Sequence, residues 1–166
     1  MPKDSRKTSG EKDGIMDDRM EYAQYLLRNN PYAVHNHVSV TGVGDDWCEG
    51  YLDLEDDVLN VYGQPHGGAY FSLADVLAGM SLRANRNQFV TLSATSHFVR
   101  STKEKKLFGR AEIMKLGRST ALVSCRVTDS GGKLLFYSTF DFFRVDGRVE
   151  IVESAAAAGR AEEKKL

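Results

Sequence analysis

Apolar and polar positions alternate with two different periods along this chain, and the changes of period predict its elements. Apolar side chains recur at helical spacing from Met16 to Leu27, which predicts a first helix over about Ile15 to Asn29. Pro31 is expected to end that helix, because proline cannot continue the hydrogen-bond ladder.

A second helical pattern runs from Gly68 to about Ala84 and predicts one long central helix. Small and apolar residues share one face of it, namely Tyr70, Leu73, Ala74, Leu77, Ala78 and Ser81. Such a face is suited to close packing on a sheet.

Strand patterns with a period of two lie on both sides of the central helix. Before it, His37–Val43 and Trp47–Leu54 flank a Gly44-Asp45-Asp46 turn and predict a hairpin. After it, four strands are predicted as an antiparallel meander, at Val90–Phe98, Leu107–Lys115, Ala121–Val127 and Leu134–Val145. No strand–helix–strand alternation occurs, so we expect an α+β fold in which one antiparallel sheet wraps around one long helix.

The strand after the central helix carries polar side chains that bear on function. Simple alternation places Val90, Leu92, Ala94, Ser96 and Phe98 on one face. The same alternation places Thr91, Ser93, Thr95 and His97 together on the other face.

The composition narrows the class of protein. With 166 residues, 42% hydrophobic and 27% charged, the chain is expected to form one globular domain over residues 15–153. Residues 1–14 and 154–166 are expected to be tails. A net charge of -1 argues against binding nucleic acid or an anionic membrane, since both need a basic excess.

Other bulk features indicate a cytoplasmic protein. The chain has no apolar run of the length that spans a bilayer, and its first residues lack the apolar stretch of a signal peptide. Cys48 and Cys125 lie far apart, which fits neither a zinc site nor a disulfide framework. We expect two reduced thiols and no metal.

The segment with the clearest chemical potential is Asn60-Val61-Tyr62-Gly63-Gln64-Pro65-His66-Gly67-Gly68. His66, Gly67 and Gly68 stand at the predicted start of the central helix, where backbone N–H groups lack intrahelical partners and the helix dipole is positive. Such a site can stabilise an oxyanion. The alternative for this segment is ordinary turn geometry, with His66 hydrogen-bonded inside the loop.

Asp75 lies about two helical turns further on, among apolar neighbours. A carboxylate in such surroundings is costly to bury unless it has partners or a chemical role. The alternative is that Asp75 faces solvent on the polar side of the helix.

The pattern N-x-x-G-x-x-H-G-G at residues 60–68, followed by Leu73-Ala74-Asp75, resembles the hot-dog acyl-CoA thioesterases of the phenylacetate-pathway (PaaI-like) family. The later turn Gly117-Arg118-Ser119 falls in the expected order, and the resemblance covers roughly residues 35–146. It implies a hot-dog fold and the hydrolysis of acyl-CoA thioesters.

The resemblance also implies roles for individual residues. Asp75 would be the nucleophile or general base, and the amide of Gly67, next to His66, would polarise the thioester carbonyl. Asn60 would hold the attacking water, and Thr91 would assist from the strand, with Ser93 on the same predicted face as the competing choice. Residues implied to contact substrate and coenzyme A are Gly68, Gly117, Arg118, Ser119 and Arg100.

The family forms dimers with sites at the subunit interface, so the resemblance implies a homodimer or a dimer of dimers. Coenzyme A would be part of the substrate, and no separate cofactor is expected. Two alternatives stay open: a hydratase or dehydratase on the same fold, and a non-catalytic module that binds acyl-CoA. The hydratase chemistry needs a histidine working with a carboxylate on the central helix, and that helix carries no histidine.

Overall fold

The computed structural model describes residues 9–145. The predicted tail over 154–166 lies outside the described residues, as does most of the stretch 1–14. The helices are α1 (Ser9–Arg28), α2 (Pro31–His35) and α3 (Gly67–Arg83), with a short 3-10 turn at Asp56–Val58. The strands are β1 (Val38–Val43), β2 (Trp47–Asp53), β3 (Phe89–Phe98), β4 (Lys106–Leu116), β5 (Thr120–Thr128) and β6 (Leu134–Arg144).

All six strands form one antiparallel sheet in the order β1-β2-β4-β5-β6-β3, with α3 packed on one face. The predicted fold class is therefore confirmed. The predicted four-strand meander is wrong, because only β4, β5 and β6 follow one another, and β3 pairs with β6 at the far edge. Alternation along a strand reports which face is buried, not which neighbour the strand pairs with.

The N-terminal helices also differ from the prediction. α1 begins at Ser9 rather than Ile15, so residues 9–14 belong to the helix. A lack of apolar residues argues against burial but not against a helix, whose hydrogen bonds are local. Pro31 ends α1 as expected and also starts α2, where the side chain of Asn30 accepts a hydrogen bond from the Ala33 amide.

The packing of α3 on the sheet depends on two glycines that face each other on neighbouring strands. Gly50 on β2 pairs directly with Gly109 on β4. A Cβ atom added at Gly109 would lie 2.6 Å from Leu77 and 3.1 Å from Leu73. One added at Gly50 would overlap the Ser39 carbonyl of β1 and lie 3.1 Å from Leu77. The helix therefore lies closer to β4 than a residue larger than glycine at position 109 allows, and position 50 is confined by β1 as well as by the helix.

The predicted small and apolar face of α3 is the buried one, since all six of its residues are buried. Burial extends around most of the helix: Gly68 and Phe71 are exposed, and Gly67, Asp75 and Arg83 are half-buried. None of the helices in residues 9–145 is long and apolar enough to cross a membrane.

We predict that Gly109→Val lowers the free energy of unfolding by about 1–3 kcal/mol, because the new side chain overlaps Leu77 in a well-packed core. Thermal or urea unfolding measures this change. Gly131→Ala is the matched control, since an added Cβ there meets only Asp129 at 3.4 Å. Equal stability of the two variants would contradict the proposed close packing.

Candidate active site

A tight loop precedes α3 and is held together by Asn60. The side-chain oxygen of Asn60 accepts hydrogen bonds from the amides of Tyr62 at 2.9 Å and Gln64 at 3.2 Å. The Asn60 amide in turn donates to the carbonyl of Gln64 at 2.7 Å. Gly63 completes the turn with a φ of 69°, which glycine adopts without strain. The side-chain oxygen of Asn60 is thus engaged in the loop, and its NH₂ group is the part suited to contact a ligand.

His66 caps the start of α3. Its Nδ1 accepts a hydrogen bond from the Gly68 amide at 2.9 Å, and its own amide donates to the Val58 carbonyl at 3.0 Å. Nδ1 must therefore be unprotonated, and in the neutral ring the proton lies on Nε2. The structure places His66 as a side chain that fixes the helix terminus.

The amide of Gly67 is the first of α3 and stays unused. Its N–H has no acceptor among the residues that the structure describes, whereas the amides of Gly68 and Ala69 are both bonded to His66. The ring of Phe98 on β3 covers this position, because a Cβ added at Gly67 would lie 3.2 Å from it. The site is thus a free donor at a positive helix end, next to an aromatic wall.

Asp75 does not lie on a solvent-facing side of α3. The residue is half-buried, and its Oδ1 accepts a hydrogen bond from the Thr91 hydroxyl at 3.0 Å. The bond joins the helix to β3 and fixes the orientation of the carboxylate. The alternative of a simply solvated Asp75 is therefore not what the structure shows.

A β-bulge in β3 decides which hydroxyl reaches Asp75. Thr91 pairs with Phe142 and Ser93 with Asp141, so the extra residue, Leu92, is unpaired. The predicted alternation is wrong at this point, because the bulge turns Thr91 toward α3 and leaves Ser93 on the opposite face. There the Ser93 hydroxyl donates to Asp141 at 2.8 Å. Thr91, not Ser93, is the hydroxyl next to Asp75.

The Gly67 amide and the Asp75 carboxylate do not meet within one chain. Gly67 and Asp75 are eight residues apart on one helix, which corresponds to about 12 Å along its axis. Gly67 lies beside Phe98 near the end of β3, and Asp75 lies beside Thr91 near its beginning. A substrate carbonyl on the Gly67 amide is therefore out of reach of Asp75 from the same chain.

The predicted coenzyme A residues also fall into two places. Arg118 and Ser119 in the β4–β5 turn line an open cavity of about 600 Å³ together with Phe143 and Arg144. The turn is closed by a hydrogen bond from the Gly117 amide to the Thr120 carbonyl at 2.8 Å.

Arg144 was not among the residues singled out from the sequence. Its amide donates to the Ser119 carbonyl at 2.8 Å, and its buried Nε has no partner among the described residues. The only signal in the sequence was a basic residue at the end of an aromatic strand, which is typical of many surface positions. Its proximity to Arg118 is a result of the fold.

Arg100 lies elsewhere, directly after β3. Its Nη1 donates to the Leu134 carbonyl at 3.0 Å, so the guanidinium is partly used to join the β3–β4 connection to β6. Arg118 is near the opposite end of β3, since Phe143 and Arg144 pair with Val90 and Phe89. One chain therefore does not bring Arg100 and Arg118 into one site.

The cysteines are buried core residues. Burial raises the pKa of the Cys125 thiol to about 12 and raises that of Cys48 as well, with smaller contributions to Cys48 from Cys125 and Glu49. Both thiols are therefore protonated near neutral pH and are poor nucleophiles. Within residues 9–145, no three His, Cys, Asp or Glu side chains are grouped so as to hold a metal ion.

Comparison with known proteins is consistent with this geometry. Residues 62–136 match the family model of the thioesterase superfamily. The resemblance to the hot-dog thioesterases is confirmed. A Mycobacterium tuberculosis protein, provisionally named an esterase, is 26% identical over 111 residues, covering 63% of this chain and 79% of that protein.

Two solved structures have the same hot-dog fold. The Escherichia coli PaaI protein of the phenylacetic acid degradation operon is 18% identical, with a TM-score of 0.76 over 82% of this chain and 99% of that one. A Streptococcus pneumoniae thioesterase structure with coenzyme A is 22% identical, with a TM-score of 0.67 over 78% of this chain and 99% of that one. These two likenesses show the fold, while the family-model match and the M. tuberculosis relative support a hydrolase of the thioesterase type.

Proposed function

We propose that this protein hydrolyses acyl-CoA thioesters to a free acid and coenzyme A. The observation that carries the proposal is the unused Gly67 amide at the start of α3, beside a hydrophobic aromatic wall. Such a donor suits a thioester oxygen that becomes negative in the transition state. The thioesterase family match and the coenzyme A in the S. pneumoniae structure support the choice of substrate.

The second component is the pair formed by Asp75 and Thr91. Solved structures of two alanine variants of the S. pneumoniae protein concern an aspartate and a threonine sixteen residues apart. Asp75 and Thr91 have the same separation. This agreement supports a catalytic role for the pair.

A second copy of the chain supplies the Asp75 carboxylate that the Gly67 amide of the first chain lacks. β3 is an edge strand of ten residues without a charged side chain, and it exposes Val90, Leu92 and Phe98 by 47%, 61% and 60%. An exposed, uncharged edge of this length is a template for strand pairing. A two-fold axis at the middle of β3 brings the end of one strand, with its Gly67, to the beginning of the other, with its Asp75.

The chemistry then follows from these positions. The thioester oxygen accepts a hydrogen bond from the Gly67 amide of one copy, which makes the carbonyl carbon more electrophilic. Asp75 of the second copy, oriented by Thr91, either takes a proton from water or attacks the carbon itself. The tetrahedral intermediate collapses by breaking the C–S bond, and the coenzyme A thiolate leaves. Direct attack gives an anhydride with Asp75, which water then cleaves.

Coenzyme A carries phosphates, and the cavity beside the β4–β5 turn offers charge for them. Arg118 and Arg144 line it together with Ser119, and Arg144 has an Nε without a partner in the described part of the chain. Arginine is well suited to bind phosphate oxygens with two N–H groups at once. We therefore place the nucleotide end of coenzyme A at this cavity.

The first prediction concerns Asp75. Wild type should release thiol from some member of a panel of phenylacetyl, benzoyl, hexanoyl and palmitoyl coenzyme A. Asp75→Asn should lose roughly 10²–10⁴-fold in kcat, because the base or nucleophile is removed. Asp141→Asn is the matched control, since that carboxylate faces away from α3, and it should keep wild-type rates. A folded wild type without turnover of any member would favour the non-catalytic binding alternative, and hydration of an enoyl-CoA with its thioester left intact would favour the hydratase.

The second prediction isolates the Gly67 N–H. Gly67→Pro removes that hydrogen at the first helical position, where proline is well tolerated, and His66 has the extended conformation (φ -62°, ψ 144°) that a following proline requires. Its kcat should fall by about 10²–10³-fold. Gly67→Ala adds a similar clash with Phe98 but keeps the N–H, so it should retain most of the activity. Equal losses in both variants would assign the effect to packing and not to the amide.

The third prediction tests the shared site. Gly67→Pro and Asp75→Asn chains are co-expressed with different tags, and the mixed dimer is purified. One of its two sites combines an intact Gly67 with an intact Asp75, so it should show about half of the wild-type activity. An inactive mixed dimer would mean that each chain supplies both groups to its own site.

A further inference from the structure

Arg83, near the end of α3, lies on the side of the helix that carries Asp75. The two residues are eight positions apart, with Gly79 midway, so all three fall close to one line along the helix. The Arg83 Nη2 donates to the Phe89 carbonyl at 3.3 Å, at the beginning of β3. The side chain therefore bridges α3 to the strand that carries Thr91.

Gly79 makes room for this guanidinium. A Cβ added at Gly79 would lie 2.7 Å from the Arg83 Nη1 and 3.3 Å from its Cζ. The side chain consequently runs back along the helix toward Asp75, as helical side chains tend to do. A glycine in the interior of a helix is unfavourable relative to alanine, so its presence here is consistent with a need for this space.

The charge environment links Arg83 to Asp75. Burial lowers the pKa of the Arg83 guanidinium, and the negative charge of Asp75 partly offsets that effect. The other polar groups near Asp75 and Arg83 are a hydroxyl, a second arginine and a carboxylate that is bonded elsewhere. Thr91 donates to Asp75, Arg144 lies over the Phe89 ring at 4.9 Å, and Asp141 is bonded to Ser93 on the opposite face of the sheet.

Within the described residues, the face of β4 and β5 that packs against α3 carries no charged side chain that could pair with Arg83 in place of Asp75. The side chains that β4 and β5 direct at α3 are apolar or thiol groups: Leu107, Ala111, Ala121, Val123, Cys125 and Val127. A half-buried arginine in such surroundings carries a desolvation cost that a specific partner must offset. Asp75 is the acidic group that acts on it within the described residues.

We propose that Arg83 is a positioning residue for Asp75: its guanidinium, lying over Gly79 and bonded to the Phe89 carbonyl, holds the helix turn of the carboxylate against the strand of Thr91. The inference rests on the proposed function for its effect on rate. The electrostatic interaction between Arg83 and Asp75 is measurable without turnover.

The kinetic test compares four variants on a coenzyme A thioester that wild type hydrolyses. Arg83→Met should lower kcat on the order of tenfold by loosening the alignment of the carboxylate, with KM changed by less than about twofold. Arg83→Lys, which keeps the charge, should recover most of the rate. Gly79→Ala should lower kcat in the same direction without lowering the Tm, because it displaces the guanidinium while improving helix propensity.

Arg86→Met is the matched control, since Arg86 is exposed and lies against Tyr22 and Asp18. It should keep the wild-type kcat. An unchanged kcat in Arg83→Met or in Gly79→Ala would overturn the proposal, as would an Arg83→Lys variant as slow as Arg83→Met.

A double-mutant cycle in thermal unfolding separates this proposal from the proposed function. Arg83→Met and Asp75→Asn are measured alone and together, and interacting charges should give changes in Tm that are not additive. Additive changes would overturn the positioning role, whether or not the protein is active. Non-additive changes without thioester turnover by wild type would retain the electrostatic coupling of the two residues and reject the hydrolase.

Discussion

The close approach of α3 to the sheet determines where every proposed catalytic group lies. Gly50 and Gly109 form a shallow trough on neighbouring strands, and Leu77 fills it from the helix. Because the helix is held at this depth and angle, its first turn reaches the end of β3 and its third turn reaches the beginning. Gly67 and Asp75 thus acquire their surroundings from packing that involves neither residue.

The same packing leaves β3 as an edge strand with one side unpaired. The helix covers the middle of the sheet, and β3 is exposed along nearly its whole length at the edge. An exposed, uncharged edge strand is costly for a protein that acts alone, since it invites pairing with another strand. In the proposed dimer this feature becomes useful, because joining two edges also joins an oxyanion donor from one chain to a carboxylate from the other.

Several residues of the site contribute by holding backbone rather than by touching substrate. Asn60 uses its side-chain oxygen to close the loop, and His66 uses Nδ1 to cap α3. With the loop and the helix start fixed in this way, the Gly67 amide is left without an acceptor among the described residues. The inferred contact of Arg83 with Asp75 is of the same kind on the other side of the site. Preorganisation of this sort lowers the cost of aligning groups during the reaction.

The sequence alone predicted the six strands, the central helix and the fold class, and it singled out Gly67 and Asp75 as candidates, because helix and strand periods, glycine-rich turns and a loop motif are local properties of the chain. Strand order was decided only by the tertiary structure, which placed β3 beside β6 instead of β4. The tertiary structure also decided that Thr91 and not Ser93 reaches Asp75, because a bulge in β3 reverses the faces that simple alternation assigns. The proximity of Arg144 to Arg118, and the hydrogen bond from Arg83 to the Phe89 carbonyl, likewise depended on the tertiary fold. A single sequence does not encode such proximity in any local pattern.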